Sequence, residues 1–316
     1  MLKKIILTII ILCSINFLMA QPVDTIGTNL DITIKGLKIQ GTLLPAINKE
    51  KLVIIIAGSG PTDRNGNSPL GVTCNTYKLL ATALQKNNIA SFRYDKRGIA
   101  ASSYNKINEA DLSFEDYIND AKEIFNYLKD TLGYKDIYIA GHSEGSLIGM
   151  VAAQHTDAKG YISMAGAGRP INLIITEQVA AQRPVVAKQT DSLFSVLKEK
   201  GKIDSVPPYL LSIFRTSVQP YMLSWMKYNP AVEIKKLKIP VLILQGTCDI
   251  QVKTAESGYL YDADTKATLS VIEGMTHTLK NARADCDDKD MKTYHDPSLP
   301  LNEELVSAIL NFVKDN

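Results

Sequence analysis

Apolar and polar positions along the chain fall into two alternating regimes. LVIIIAG (52 to 58), IASFRYD (89 to 95), DIYIAGH (136 to 142), GYISMAG (160 to 166) and VLILQG (241 to 246) are short, almost continuous apolar runs. Such runs suit strands covered on both faces, as parallel strands are. ATLSVIEG (267 to 274) reads as a further strand. Between the runs the period changes. In residues 113 to 132, Phe114, Ile118, Ala121, Phe125, Leu128 and Leu132 recur every three or four positions behind Ser113 and Asp116, a helix-start signal. Helices are expected over 252 to 263 and about 302 to 314 as well. Residues 30 to 44 instead show period-two alternation interrupted by Gly36 and Gly41, which predicts an antiparallel hairpin.

Strand and helix alternate, so the expected class is α/β: an open, mostly parallel sheet flanked by helices. One segment breaks the rhythm. Residues 169 to 235 carry no strand pattern but three helical stretches, 171 to 183, 187 to 200 and 207 to 228, and are expected to insert above the sheet. The expected organisation is therefore a leader at 1 to 20, a core at 21 to 168 and 236 to 316, and a helical insertion at 169 to 235.

The leader is read from Lys3 and Lys4, the apolar run of residues 5 to 12, and Ala20 before Gln21. That is the layout of a secretory signal peptide, so export to a periplasm or beyond is expected. Leu18 stands where a small residue is usual, which leaves an uncleaved anchor as the alternative; after cleavage no stable membrane span is expected. Two of the lysines behind the net charge of +2 belong to the leader, and a nearly neutral mature chain lacks the basic footprint of a nucleic-acid binder. Beyond the leader stand Cys74, Cys248 and Cys286, too few for a disulfide scaffold, and at least one must be unpaired.

The chemistry concentrates at GHSEG, residues 141 to 145, a Gly-x-Ser-x-Gly pattern between a strand and a helix. A serine on so tight a turn is lifted clear of the backbone, and side chains in place of Gly141 or Gly145 would collide with it. The bland alternative is that Ser143 merely caps the next helix. A nucleophilic serine needs a base. Of His142, His155, His277 and His295, His277 is preferred because it follows the strand 267 to 274, with His295 as the alternative. Asp249, two residues beyond VLILQG, is the expected orienting carboxylate, against the alternative that it caps the helix at 252 to 263.

Five ordered segments carry a resemblance: IAGSGPTDRNGN (56 to 67), FRYDKRG (92 to 98), GHSEG (141 to 145), LQGTCDIQV (244 to 252) and GMTHTLK (274 to 280). From about residue 30 onward the chain resembles the α/β-hydrolases, and among them lid-bearing bacterial esterases and serine aminopeptidase-like hydrolases. The resemblance implies the order Ser143, Asp249, His277. It also implies an oxyanion hole from the backbone N–H groups of Ser59 and Glu144, hydrolysis of a small acyl ester, and neither metal nor organic cofactor.

A short peptide or amide is the alternative substrate, with Glu177, Asp191 and Glu199 as candidate grips for a free amine. A thioesterase and a noncatalytic binding protein complete the alternatives. Asp95 and Arg97 are expected to bond to each other or to backbone beneath the site. Glu144 is a candidate for holding a water or a group of the insertion. The stripe Phe214, Val218, Tyr221, Trp225 and Tyr228 is expected in the core or lining the pocket. DCDDKD (285 to 290) reads as a solvated surface stretch rather than a cation loop, since it lacks the glycine and distal glutamate of an EF-hand.

Overall fold

In a computed structural model, residues 27–104, 107–283, 286 and 291–316 are described. The expected leader and, apart from Cys286, the DCDDKD stretch lie outside them.

The strands are β1 (Thr28–Ile34), β2 (Leu37–Leu44), β3 (Lys51–Ile56), β4 (Asn67–Ser68), β5 (Val72–Thr73), β6 (Ala90–Tyr94), β7 (Asp136–His142), β8 (Gly160–Met164), β9 (Val241–Gly246) and β10 (Thr268–Ile272). Eight of them form one sheet in the order β1-β2-β6-β3-β7-β8-β9-β10, while β4 and β5 pair as a small separate ribbon. From β6 to β10 every pairing is parallel. The hairpin β1–β2 adds antiparallel to β6. It turns through Lys35 and Gly36, both at positive φ. Gly41, which looked like an interruption, lies inside β2, where a Cβ would come within 2.1 Å of the Phe92 ring.

The helices are α1 (Thr76–Lys86), α2 (Phe114–Asn126), α3 (Glu144–Ala153), α4 (Ile171–Gln182), α5 (Pro184–Lys200), α6 (Leu211–Phe214), α7 (Gln219–Trp225), α8 (Pro230–Ile234), α9 (Thr254–Ala263), α10 (Lys292–His295) and α11 (Glu303–Asp315). Alternate residues of a strand serve opposite layers. Val53 and Ile55 pack with Leu80 of α1 and Ile309 of α11, whereas Ile54 and Ile56 pack with Phe125 of α2 and Ile148 of α3. This two-sided burial is why the strands read as continuous apolar runs. At the start of α2, the Ser113 hydroxyl accepts from the Asp116 N–H while the Asp116 carboxylate accepts from the Ser113 N–H, the reciprocal cap expected from the sequence.

The stretch 207 to 228 is not one helix. It divides into a single turn at Pro208–Leu210, then α6 and α7, with Arg215 extended between them. The cause is Pro220, which has no N–H to give and is tolerated only in a helix's first turn, so the helix restarts at Gln219.

Register places the loops that matter at one end. Ile56 pairs with Gly141, His142 with Met164, Met164 with Leu244, and Gly246 with Ile272. The chain segments after β3, β7, β9 and β10 therefore leave the sheet side by side, above the carboxyl ends where open α/β sheets bind ligands.

Cys248 and Cys286 form a disulfide across 38 residues, and Cys74 is free and buried. Closing a loop of that length stabilises by about 4 kcal/mol on the chain-entropy account. Replacing both cysteines by alanine is expected to lower the urea-unfolding free energy by an amount of that order, and reductant is expected to do the same to the wild type while leaving the variant unmoved.

Candidate active site

Ser143 occupies the turn between β7 and α3 at φ 54° and ψ −119°, a conformation that side chains rarely adopt. Its N–H donates to Met164 O at 2.9 Å, tying the turn to β8. The flanking glycines are demanded by backbone proximity. A Cβ on Gly141 would lie 2.1 Å from Gly145 O, and one on Gly145 would lie 2.4 Å from Ile56 O. The Ser143 side chain makes no capping hydrogen bond to α3, so the bland reading of this serine fails.

Asp249 emerges after β9 with its carboxylate wholly enclosed. One oxygen accepts the backbone N–H groups of Gln251 and Val252, both at 2.8 Å; the other accepts Gln245 Nε2 at 3.1 Å and faces His277 Nδ1 at 2.8 Å. These partners lie ahead of α9, whose first turn takes no bond from Asp249, so the capping alternative fails as well. A carboxylate only accepts, which places hydrogen on His277 Nδ1 and leaves Nε2 of the neutral ring as the acceptor. His277 and Ser143 line the same cavity of about 220 Å³. The other histidines considered as the base stand apart: His155 is exposed, and His295 is an exposed residue on the rim of that cavity.

Two supports of this arrangement escaped sequence reasoning. Gln245, inside β9, steadies the Asp249 carboxylate. His142 points beneath the serine, where Nε2 lies 2.8 Å from the backbone carbonyl of His277 and Nδ1 lies 2.8 Å from Tyr77 Oη. A carbonyl only accepts, so Nε2 carries the hydrogen and Tyr77 donates to Nδ1. The Tyr77 hydroxyl in turn accepts the Gly58 N–H at 3.0 Å. No local pattern joins Tyr77 to His142; only the fold does.

Full burial, reinforced by the neighbouring His277, lowers the His142 pKa from 6.5 to about 3. Between those values the unfolded chain binds a proton that the folded chain refuses, so the stability His142 contributes is present above pH 6.5 and lost as pH falls toward 3. Each pH unit in that window costs up to about 1.4 kcal/mol. Asp63, raised by burial to about 6, acts in the opposite direction. Because Asp63 is retained in His142→Gln, the difference between wild type and variant in urea-unfolding free energy at pH 7 and pH 4.5 isolates the histidine. The wild type is expected to lose more.

The loop after β3 carries Ser59 and Gly60 into the same cavity. Among the described residues, no protein acceptor takes the backbone N–H of Ser59 or of Glu144. This loop is anchored from below by Arg64, whose Nε and Nη2 donate to Asp95 at 3.0 and 2.7 Å. Asp95 and Arg97 thus do not bond to each other. Arg97 donates instead to Asp120 and Asp116 of α2, while Asp95 accepts the backbone N–H groups of Arg64 and Ala101. Both remain structural, as expected.

Glu144 is buried and takes two side-chain donors, Lys96 Nζ and, at 2.7 Å, the hydroxyl of Tyr221 from α7. The aromatic stripe thereby serves two ends. Trp225 stacks on Phe114 with ring centroids 5.3 Å apart, while Val218 and Tyr221 face a small pocket beside Glu144. A second recess of about 30 Å³ is lined by Ser143, Ile174, Arg169 and Trp225. There Glu177 is held by both terminal nitrogens of Arg169 at 2.8 Å, and Asp191 and Glu199 are exposed on α5, so none of the three candidate amine grips is offered to the site. Among the described residues no group of three or more His, Cys, Asp or Glu is placed to hold a metal ion, and no helix is long and apolar enough to cross a membrane.

A layered parallel sheet with a strained serine turn at its carboxyl edge is the α/β-hydrolase architecture, and solved structures agree. Est1E from Butyrivibrio proteoclasticus with bound ferulic acid superposes with a TM-score of 0.58 at 17% identity, over 91% of this chain and 100% of that one. An esterase from Pyrococcus furiosus gives 0.58 at 17%, over 91% and 90%, and one from Exiguobacterium antarcticum 0.55 at 14%, over 92% and 100%. The family described as serine aminopeptidase, S33 (Hydrolase_4), matches residues 70–283, and the chain belongs to it. Esterase EstD of Thermotoga maritima is 27% identical over 226 residues, covering 70% of this chain; the chain spans about half (52%) of that relative's length.

Proposed function

We propose that the protein is an exported serine hydrolase that cleaves small carboxylic esters. Ser143 Oγ attacks the ester carbonyl while His277 Nε2 takes its proton, and Asp249 holds the imidazole in the required tautomer and stabilises the imidazolium that forms. The N–H groups of Ser59 and Glu144 receive the developing oxyanion. Collapse expels the alcohol with the proton carried by His277, leaving an acyl group on Ser143, and a water deprotonated by the same ring clears it.

The observation that carries this reading is the Asp249–His277 contact at 2.8 Å beside a cavity shared with a serine held at positive φ. Ester over amide is supported by relatives described as esterases and by the engagement of Glu177 with Arg169, which removes a grip for a substrate's free amine. Helices α4 to α8 act as the lid, with Trp225 at the recess beside the serine. Export is supported by the leader and by the Cys248–Cys286 disulfide, which suits an oxidising compartment.

The test is a panel of p-nitrophenyl esters of graded acyl length beside aminoacyl p-nitroanilides. Turnover of the esters is expected. Turnover confined to the anilides would replace the esterase with an aminopeptidase on the same triad.

A further inference from the structure

The residue between Asp95 and Arg97 carries a charge that the mechanism above leaves unused. Lys96 is only 1% exposed, Glu144 only 5%, and the two are paired. A buried ion pair is a weak source of stability, because desolvating both charges offsets most of their attraction. What distinguishes this pair is its third member. Lys96 Nζ also donates to Gly58 O at 2.8 Å. Gly58 O and the Ser59 N–H belong to one peptide unit, which is planar and trans, so the two point in opposite directions and neither turns without the other. Fixing the oxygen fixes the hydrogen. The Gly58 N–H, bonded to Tyr77, pins the preceding peptide as well.

On the Glu144 side, the same ammonium and the Tyr221 hydroxyl hold the carboxylate of the residue whose N–H is the second free donor. The ammonium itself sits 5.0 Å from the centre of the Tyr117 ring, which shields it from water on that side.

Resting on the esterase reading, we propose that Lys96 is a positioning residue for the oxyanion hole: one buried ammonium fixes the peptide that carries the Ser59 N–H and holds the side chain of Glu144, whose N–H is the second donor, and Tyr221 ties that setting to α7. A hydrogen bond to the carbonyl end of a peptide also polarises its N–H, so the donor is strengthened as well as aimed.

The experiment compares Lys96→Met/Glu144→Gln with Glu144→Gln alone, since Lys96→Met by itself strands a buried carboxylate and endangers folding. In the double variant neither member of the pair is charged, whereas Glu144→Gln keeps the ammonium on the Gly58 carbonyl, so the two variants differ in the hold on that carbonyl and in one buried positive charge. With an ester substrate, kcat of the double variant is expected to fall about 10- to 100-fold below that of Glu144→Gln. KM should stay within about threefold. Affinity for a trifluoromethyl ketone, which forms an oxyanion on Ser143, should fall in parallel with kcat, and thermal melts of both variants should show a single cooperative transition. Equal kcat values in the two variants, or a loss confined to KM, would overturn the proposal. Tyr221→Phe supplies an independent arm: a lower kcat at unchanged KM is expected, and an unaltered kcat refutes the link to α7. Failure of the esterase reading looks different, since the wild type itself would then not turn over esters.

Discussion

Ser143→Ala is expected to lower kcat/KM for a p-nitrophenyl ester by about 10⁴- to 10⁶-fold while leaving the fold intact. On the proposed mechanism the size follows from removing the atom that forms the covalent intermediate; what remains is whatever the free N–H groups and the cavity do for direct attack by water. Stability should change by no more than about 0.5 kcal/mol, because alanine keeps the Cβ and inherits the strained backbone. Ser143→Gly makes an informative companion. It is equally inactive, yet glycine accepts φ 54° without penalty, so it is expected to melt above the alanine variant. Undiminished ester hydrolysis by Ser143→Ala would end the proposed function.

The second large effect is expected at Asp249. Asp249→Asn should cost about 10³- to 10⁴-fold in kcat with little change in melting temperature. The reasoning is a count of donors and acceptors. In the wild type one carboxylate oxygen meets two side-chain donors, Gln245 Nε2 and His277 Nδ1, and the other meets two backbone N–H groups. An asparagine amide must put its NH₂ on one side. Facing His277, it forces hydrogen onto Nε2, leaving the ring unable to accept a proton from Ser143, and it also meets Gln245 donor to donor. Facing the backbone, it confronts two N–H groups that cannot move. Steady-state kinetics with the ester panel, alongside thermal melts, tests this; a variant with more than a tenth of wild-type kcat would remove Asp249 from the reaction.

Much of the fold was legible because its cause is local. Strands covered on both faces must be apolar throughout, and a helix lying on a sheet must be apolar every three or four residues; both patterns stand in the text of the chain. The glycines of GHSEG were legible for a similar reason, since a turn that brings Gly145 against the carbonyl of Ile56 admits no Cβ. What was hidden depends on which distant segments the sheet brings together. Lys96 and Glu144 are 48 residues apart, and Tyr77 and His142 are 65 apart. From the sequence, Asp95 and Arg97 are expected to bond to each other or to backbone; Asp95 does take backbone N–H groups, but the side-chain partners, Arg64 and Asp120, lie 31 and 23 residues away. The division of 207 to 228 was in principle readable from Pro220. The apolar stripe running through it masked that signal, because the aromatic residues are buried on both sides of the break, Phe214 against Phe194 of α5 and Trp225 against Phe114 of α2.

The bond from His142 to the backbone of His277 bears on how the ring proposed as the base moves. It holds the main chain of the base and leaves the side chain to pivot. On the proposed mechanism the imidazole faces first the serine and then a departing alkoxide, while its main chain stays tied to His142. A neutral, deeply enclosed neighbour that does not itself titrate in the working range supplies that tie, so it does not come loose as the proton count of the site changes.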